Sequence, residues 1–276
     1  MYLKSNFIEQ HRFDKHFAEL SHLPFSLFFE YRPSLYERSI NEINFLVLEE
    51  PNEYFDNHRW AIENQSQFSA IFTWDDMVLN NCSNALLLPY GESWVDADGF
   101  DVINRKHDKK FEISFLRGNN LKTYGHSIRH ELYNRRNEIS APISFHSNII
   151  VNNNKTINDL ITGKIDVLEN FKYNISIENV SRNGYFTEKL IDCFLMRTIP
   201  IYWGCSNINA YFDVSGMILV QNVDTLIYEC NRLSDGDYES RLESIERNYN
   251  IALKYKNYVR RIKQLVIDIL ELNGIV

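Results

Sequence analysis

Apolar residues in this chain gather in short runs closed by polar or turn-forming residues, a pattern of buried strands separated by helices and loops. The run Ile43–Leu48 (INFLVL) ends in Glu49, Glu50 and Pro51 and predicts a buried strand whose last residues turn polar. Residues 69–73 and 85–88 predict two more strands. Between them, residues 75–84 mix apolar and polar positions at loose helical spacing, and Pro89, Tyr90 and Gly91 then mark a turn. Further along, residues 111–116 and 171–177 read as strands, 187–197 as a helix with Leu190, Ile191, Phe194 and Leu195 on one face, and 198–203 as the next strand. Strand, helix and strand within about thirty residues form a βαβ unit, which requires a parallel sheet. Residues 217–220 continue that sheet, and 237–272 are mostly helical by period.

The charged stretch 101–110 (DVINRKHDKK) separates the two groups of strands. It predicts an α/β protein of two lobes, residues 1–105 and 106–276. Ligands of open parallel sheets sit beyond the carboxyl ends of the strands. That rule selects Glu49, the 117–129 loop, residues 178–189 and residues 204–207 as the polar positions to test. Thr187 has the chemistry of an N-cap, so a helix beginning at Glu188 would direct free N–H groups and its positive dipole end to a ligand there. A diphosphate suits such a place, with Lys189 as a mobile cation and Arg129 as a bidentate fork. The bland alternative is that Glu188 complements the helix dipole and Lys189 is a solvated first-turn residue.

Composition narrows the function. Apolar residues make up 44% of the 276 positions and aromatics 14%, enough for packed cores. A net charge of −8 argues against a surface that tracks a nucleic-acid backbone. The densest basic spot is Lys254, Lys256, Arg260, Arg261 and Lys263, read as a solvated helix face that could touch an anionic membrane peripherally. No apolar run has the roughly 18 residues of a membrane span. Cys82, Cys193, Cys205 and Cys230 lack CxxC spacing, so reduced thiols, a cytoplasmic location and no zinc site are expected. The triplet Asp96, Ala97, Asp98 spells DxD, two carboxylates that could hold a divalent metal, but its loop context favours solvation and no obligatory metal is expected. Sequons at Asn154, Asn174 and Asn179 carry little meaning in an Asn-rich chain.

Three segments in fixed spacing carry a family resemblance. Ser176, Ile177, Glu178, Asn179, then Tyr185, Phe186, Thr187, Glu188, Lys189, Leu190, then Ile199, Pro200, Ile201, Tyr202, Trp203, Gly204 resemble the signature SFEN, DYITEKL, VPVVLG of the family 10 α1,3/4-fucosyltransferases. Earlier, Leu48, Glu49, Glu50, Pro51 resemble that family's LESP, and Leu88, Pro89, Tyr90, Gly91 its VPYG. The resemblance runs with gaps from about residue 49 to about residue 249; residues 1–40 match nothing.

The resemblance implies a GT-B fold of two Rossmann-like lobes facing across a cleft, and an inverting transfer from a GDP-sugar, GDP-fucose by analogy, to a glycan acceptor that enters from the first lobe. It implies Glu49 as the general base, Glu188 on the donor's ribose or sugar, and Lys189 with Arg129 on the diphosphate. Tyr173, Glu178, Asn179, Tyr185 and Thr187 complete the donor-binding set. Glu50 is a rival for the base, and Arg117 or His126 for Arg129. Asn174 stands where the family carries an aromatic residue beside the nucleotide, with Tyr173 one step earlier, which keeps other nucleotide-sugar donors open. The short first lobe keeps open a second class, a catalytically silent nucleotide-sugar or glycan-binding module.

Overall fold

The computed structural model describes residues 1–6, 16–95, 108–147 and 157–276. They form two compact units, Met1–Tyr90 together with Asn257–Val276, and Gly91–Lys256, each built on a five-stranded parallel sheet.

In the first unit the strands β1 (Tyr2–Ser5), β2 (Phe25–Phe29), β3 (Ile43–Leu48), β4 (Ala70–Thr73) and β5 (Ala85–Leu87) lie side by side in chain order. Alternate residues point to opposite faces. Phe25, Leu27, Phe29, Phe45, Val47, Ala70 and Phe72 share one core, whereas Phe28, Leu46, Leu48 and Ile71 share another with Ala61 and Val78 of the helices Asn57–Glu63 and Asp76–Asn81. With both faces covered, the strands read as nearly continuous apolar runs rather than as alternation. Strands laid down in sequence by right-handed crossovers put their connecting helices on one face. The other face packs against Tyr258, Val259, Ile262, Val266 and Leu270 of the helix Tyr258–Leu272, together with Phe17, Leu20 and Leu23.

This unit departs from the sequence reading in two ways. β1 and β2 occupy a region in which no element was expected, and the last helix belongs here rather than with the second lobe. The long helical stretch is two helices, Asp235–Tyr255 and Tyr258–Leu272. Asn257 separates them and caps the second by accepting from the Arg260 N–H at 2.8 Å. The boundary anticipated at residue 105 lies outside the described residues, while Gly91 to Val95, expected in the first lobe, belong to the second unit.

The second unit holds β6 (Lys110–Arg117), β7 (Ile143–Ser147), β8 (Phe171–Ile177), β9 (Ile199–Trp203) and β10 (Ile218–Leu219) in the order β10-β9-β8-β6-β7. The chain passes from β6 outward to β7, then returns across β6 to begin β8. That reversal between β6 and β8 opens their carboxyl-end loops away from each other, which is where open α/β sheets bind ligands. The pleat again sorts the residues. Tyr173, Ile175 and Ile177 of β8 enter a core with Ile128 and Leu132 of the helix Tyr124–Asn134 and Leu226 of the helix Val223–Arg232. Leu190, Ile191 and Phe194 of the helix Glu188–Leu195 pack on the other side, with Ile161, Ile165, Tyr202 and Ala252.

Among the described residues, no helix is long and apolar enough to cross a membrane. All four cysteines are free and buried. In the late basic cluster, Arg261 donates to the carbonyls of Pro89 and Tyr90, and Lys263 pairs with Glu19.

Candidate functional site

β8 ends at Ile177, so Glu178 is the first residue past the sheet, and its side chain is fully buried. Its backbone N–H still follows the ladder, donating to the Trp203 carbonyl at 2.8 Å. The carboxylate turns toward the start of the Glu188 helix, where Oε1 accepts from the Thr187 N–H (2.8 Å) and Oε2 from the Thr187 hydroxyl (2.7 Å). Thr187 is the N-cap expected from sequence. Its hydroxyl oxygen accepts from the Lys189 N–H at 3.3 Å and from Lys189 Nζ at 3.1 Å. Lys189 Nζ also lies 3.2 Å from Glu188 Oε1 and 3.7 Å from Glu178 Oε2. Burial raises the Glu178 pKa, against the opposing pull of Lys189 and the Thr187 hydrogen bonds.

Glycines let the neighbouring backbones approach this group. A Cβ on Gly204 would stand 2.4 Å from Glu178 Cγ, and one on Gly125 only 1.8 Å from the Glu178 carbonyl oxygen. The Gly125 N–H donates to the Asn179 carbonyl at 3.0 Å, which locks the start of the Tyr124–Asn134 helix to the strand end. One turn on, Arg129 donates from Nε (3.1 Å) and Nη2 (2.5 Å) to the Ile177 carbonyl and from Nη2 to Asn179 Oδ1 (2.9 Å). The Asn179 amide in turn lies 3.4 Å from the Tyr185 hydroxyl.

Arg129, Glu178, Asn179, Tyr185, Thr187, Glu188 and Lys189 therefore form one contiguous group at the sheet reversal. Arg117 is elsewhere, over the Tyr133 ring at 4.1 Å. His126 is a helix cap, its Nδ1 accepting from the Thr123 N–H at 3.2 Å. Burial, then the charges of Arg129 and Lys189, hold its pKa down to about 4, so it stays neutral and supplies no cation.

Tyr173 does not join the group. Four residues before the strand end and on the opposite face of the pleat, its ring is buried in the core and its hydroxyl donates to the Ser234 carbonyl at 3.0 Å. Asn174 points to the Glu188 helix but is bonded within the sheet, accepting from Ser114 Oγ (2.9 Å) and donating to Ser176 Oγ (2.8 Å). Buried and bonded, Asn174 and Asn179 are poor glycan carriers. Asn154, Asp96 and Asp98 lie outside the described residues. No cluster of metal-ligating side chains occurs among the described residues.

Two residues behind the site were not foreseen. Lys164, from the helix Ile157–Glu169, puts Nζ 2.7 Å from Asp192 Oδ2 and 3.6 Å from Glu188 Oε1. Asp192 also accepts from the Ser93 hydroxyl (2.7 Å) and the Trp94 N–H (3.1 Å). Burial alone would raise the Glu188 pKa, but Lys189 and Lys164 outweigh it and hold it down to about 2. Burial opposes the charge on Lys164, yet Asp192 and Glu188 raise its pKa. The available signal was Asp192 itself, a carboxylate amid Leu190, Ile191, Cys193 and Phe194, since a charge in an apolar helix face calls for a buried partner.

In the first unit, Glu49 follows the last residue of β3 and is 6% exposed. Its N–H and that of Glu50 donate to Glu30 Oε1 at 2.7 and 2.8 Å, and its carbonyl accepts from Trp74 Nε1 at 2.7 Å. Glu49 is thus at the carboxyl end of a parallel strand, as the pattern of that strand predicts.

Two α/β units, each with a parallel sheet, define the GT-B fold of one large class of glycosyltransferases. An α1,3-fucosyltransferase crystallised with GDP-fucose is similar to this chain with a TM-score of 0.55 at 16% identity, over 93% of this chain and 92% of that one. Anabaena Alr3699/HepE in complex with UDP and glucose is similar at a TM-score of 0.54 and 9% identity, over 94% and 81%. In sequence the chain is 25% identical over 143 residues to α-(1,3)-fucosyltransferase FucT of Helicobacter pylori, a match covering 52% of this chain and 24% of the bacterial protein. The chain is thus similar to about a quarter of that relative's length. No protein-family profile matches the chain.

Proposed function

We propose that the chain is an inverting glycosyltransferase that moves fucose from GDP-fucose to a glycan hydroxyl, with no obligatory metal. In this reading the acceptor oxygen attacks the anomeric carbon as the bond to the diphosphate breaks, and Glu49 takes the hydroxyl proton. Charge accumulates on the departing GDP, where Arg129, Lys189 and the N-terminal N–H groups of the Glu188 helix would stabilise it. Glu188, ionised at neutral pH, would hold the ribose or sugar hydroxyls as a hydrogen-bond acceptor. Glu178 and Thr187 would fix the helix start, and Asn179 and Tyr185 would extend the donor site.

The observation that carries the reading is the convergence of Arg129 with Asn179, Thr187 and Lys189 at the carboxyl end of β8. Lys189 is the partly exposed member, with 26% of its side chain open. Calorimetric titration with GDP and UDP tests the proposal. Lys189→Ala should weaken GDP binding about tenfold or more, the worth of a charge-assisted contact of roughly 1.5–3 kcal/mol. Failure of the native protein to bind GDP, or equal affinity in the variant, would remove the donor site; preference for UDP would replace GDP as the donor nucleotide.

A further inference from the structure

Glu49 and Glu50 carry four backbone hydrogen-bonding groups between them, and three side chains from three separate segments of the chain hold all four. Glu30 Oε1 accepts both N–H groups at 2.7 and 2.8 Å. The Trp74 indole N–H donates to the Glu49 carbonyl at 2.7 Å, and His58 Nε2, 3.1 Å from the Glu50 carbonyl, donates there because a carbonyl can only accept. Glu30 is 1% exposed and Trp74 1%, so neither contact is diluted by water.

Glu30 is itself held from several sides. Its backbone sits at φ 45°, a left-handed conformation unfavourable for a side chain of this size. Its N–H donates to the Val47 carbonyl at 2.9 Å. Asn57 donates to both the Glu30 carbonyl and Oε2 at 2.9 Å, and Asn6 also donates to that carbonyl. Closing a loop needs neither a buried carboxylate nor a strained residue. Fixing the direction in which the next side chain leaves the strand needs both ends of its peptide units immobilised.

We infer that Glu30 and Trp74 are positioning residues for Glu49, clamping its peptide groups so that its carboxylate is held in the orientation proton transfer requires. The inference rests on the reading of Glu49 as the base. A purely structural clamp would affect stability without coupling to the Glu49 carboxylate.

A double-mutant cycle on the full chain separates these. Trp74→Phe removes the indole donor and keeps an aromatic ring. Glu30→Gln sets an amide NH2 against the Asn57 donor, so the amide must either turn away from the two N–H groups or clash. Each should lower kcat for fucosyl transfer about tenfold or more, with KM values for donor and acceptor within about twofold, in samples that melt cooperatively. In a Glu49→Gln background, itself slower by roughly two to four decades, neither should lower transfer further. Full activity in both single variants, or effects that add to those of Glu49→Gln, would overturn the clamp while leaving the base in place. Wild-type transfer by Glu49→Gln would overturn the base and the clamp's purpose together. Should one variant fail to fold, the other completes the cycle.

Discussion

At the level of single residues, the alternation of charge behind the Thr187 turn sets the electrostatics of the candidate donor site. Glu188 lies between Lys189 at 3.2 Å and Lys164 at 3.6 Å, and its pKa falls from an ordinary 4.5 to about 2. A depressed carboxyl contributes stability that is complete above its unfolded pKa and is lost as pH falls through the folded one. The melting temperature of Glu188→Gln should therefore lie below wild type by a constant amount above about pH 5, and the gap should close as pH falls toward 2. A gap independent of pH down to 2 would show that the pairing contributes nothing through charge. The signature residues from Glu178 to Lys189 were legible because fixed spacing around a cap places them on one turn. Tyr173 lies in the core rather than in the group because an aromatic one residue from the family's place has the right chemistry and the other parity: a step of one along a strand changes the face. Lys164 was not legible, since nothing local to the helix Ile157–Glu169 announces a partner 28 residues later in sequence, at Asp192.

At the level of elements, strand and helix existence was legible where apolar runs were long, as in Ile43–Leu48, Phe171–Ile177 and Ile199–Trp203. β2 has a fully buried pattern but lies in a segment that carries no motif, and β7 carries polar His146 and Ser147 that dilute its apolar character. The junction of the Tyr124–Asn134 helix with β8 depends on contact distance rather than on propensity. A methyl at Gly125 would overlap the Glu178 carbonyl oxygen, a backbone atom with no rotamer through which to escape. Gly125→Ala should cost about 1–3 kcal/mol or more through overpacking, although alanine is the better helix former. Because the displaced helix carries Arg129, GDP affinity should fall with stability. Chemical denaturation and titration of one sample check both, and an unchanged melt would mean that the two elements are free to separate.

For the molecule as a whole, the last twenty residues complete a unit begun by the first ninety. Sequence could not reveal this, because the helices Asp235–Tyr255 and Tyr258–Leu272 adjoin along the chain while their apolar faces belong to different cores. Burial of Tyr258, Val259, Ile262, Val266 and Leu270 contributes on the order of 10 kcal/mol, comparable with the stability of an entire domain. A chain ending at Lys256 should accordingly lose the first unit: limited proteolysis should cleave within residues 16–90 while the second unit stays protected, and equal protection of both would refute the dependence. The same feature governs biosynthesis. At 5–20 residues per second, a ribosome needs roughly ten to thirty seconds after making the first sheet to reach the helix that covers it. Throughout that interval Phe25, Phe45 and Phe72 lack the helix that packs on their face in the folded chain. A nascent chain is thus expected to keep aromatic segments open to chaperones until the final helix arrives and native packing withdraws them.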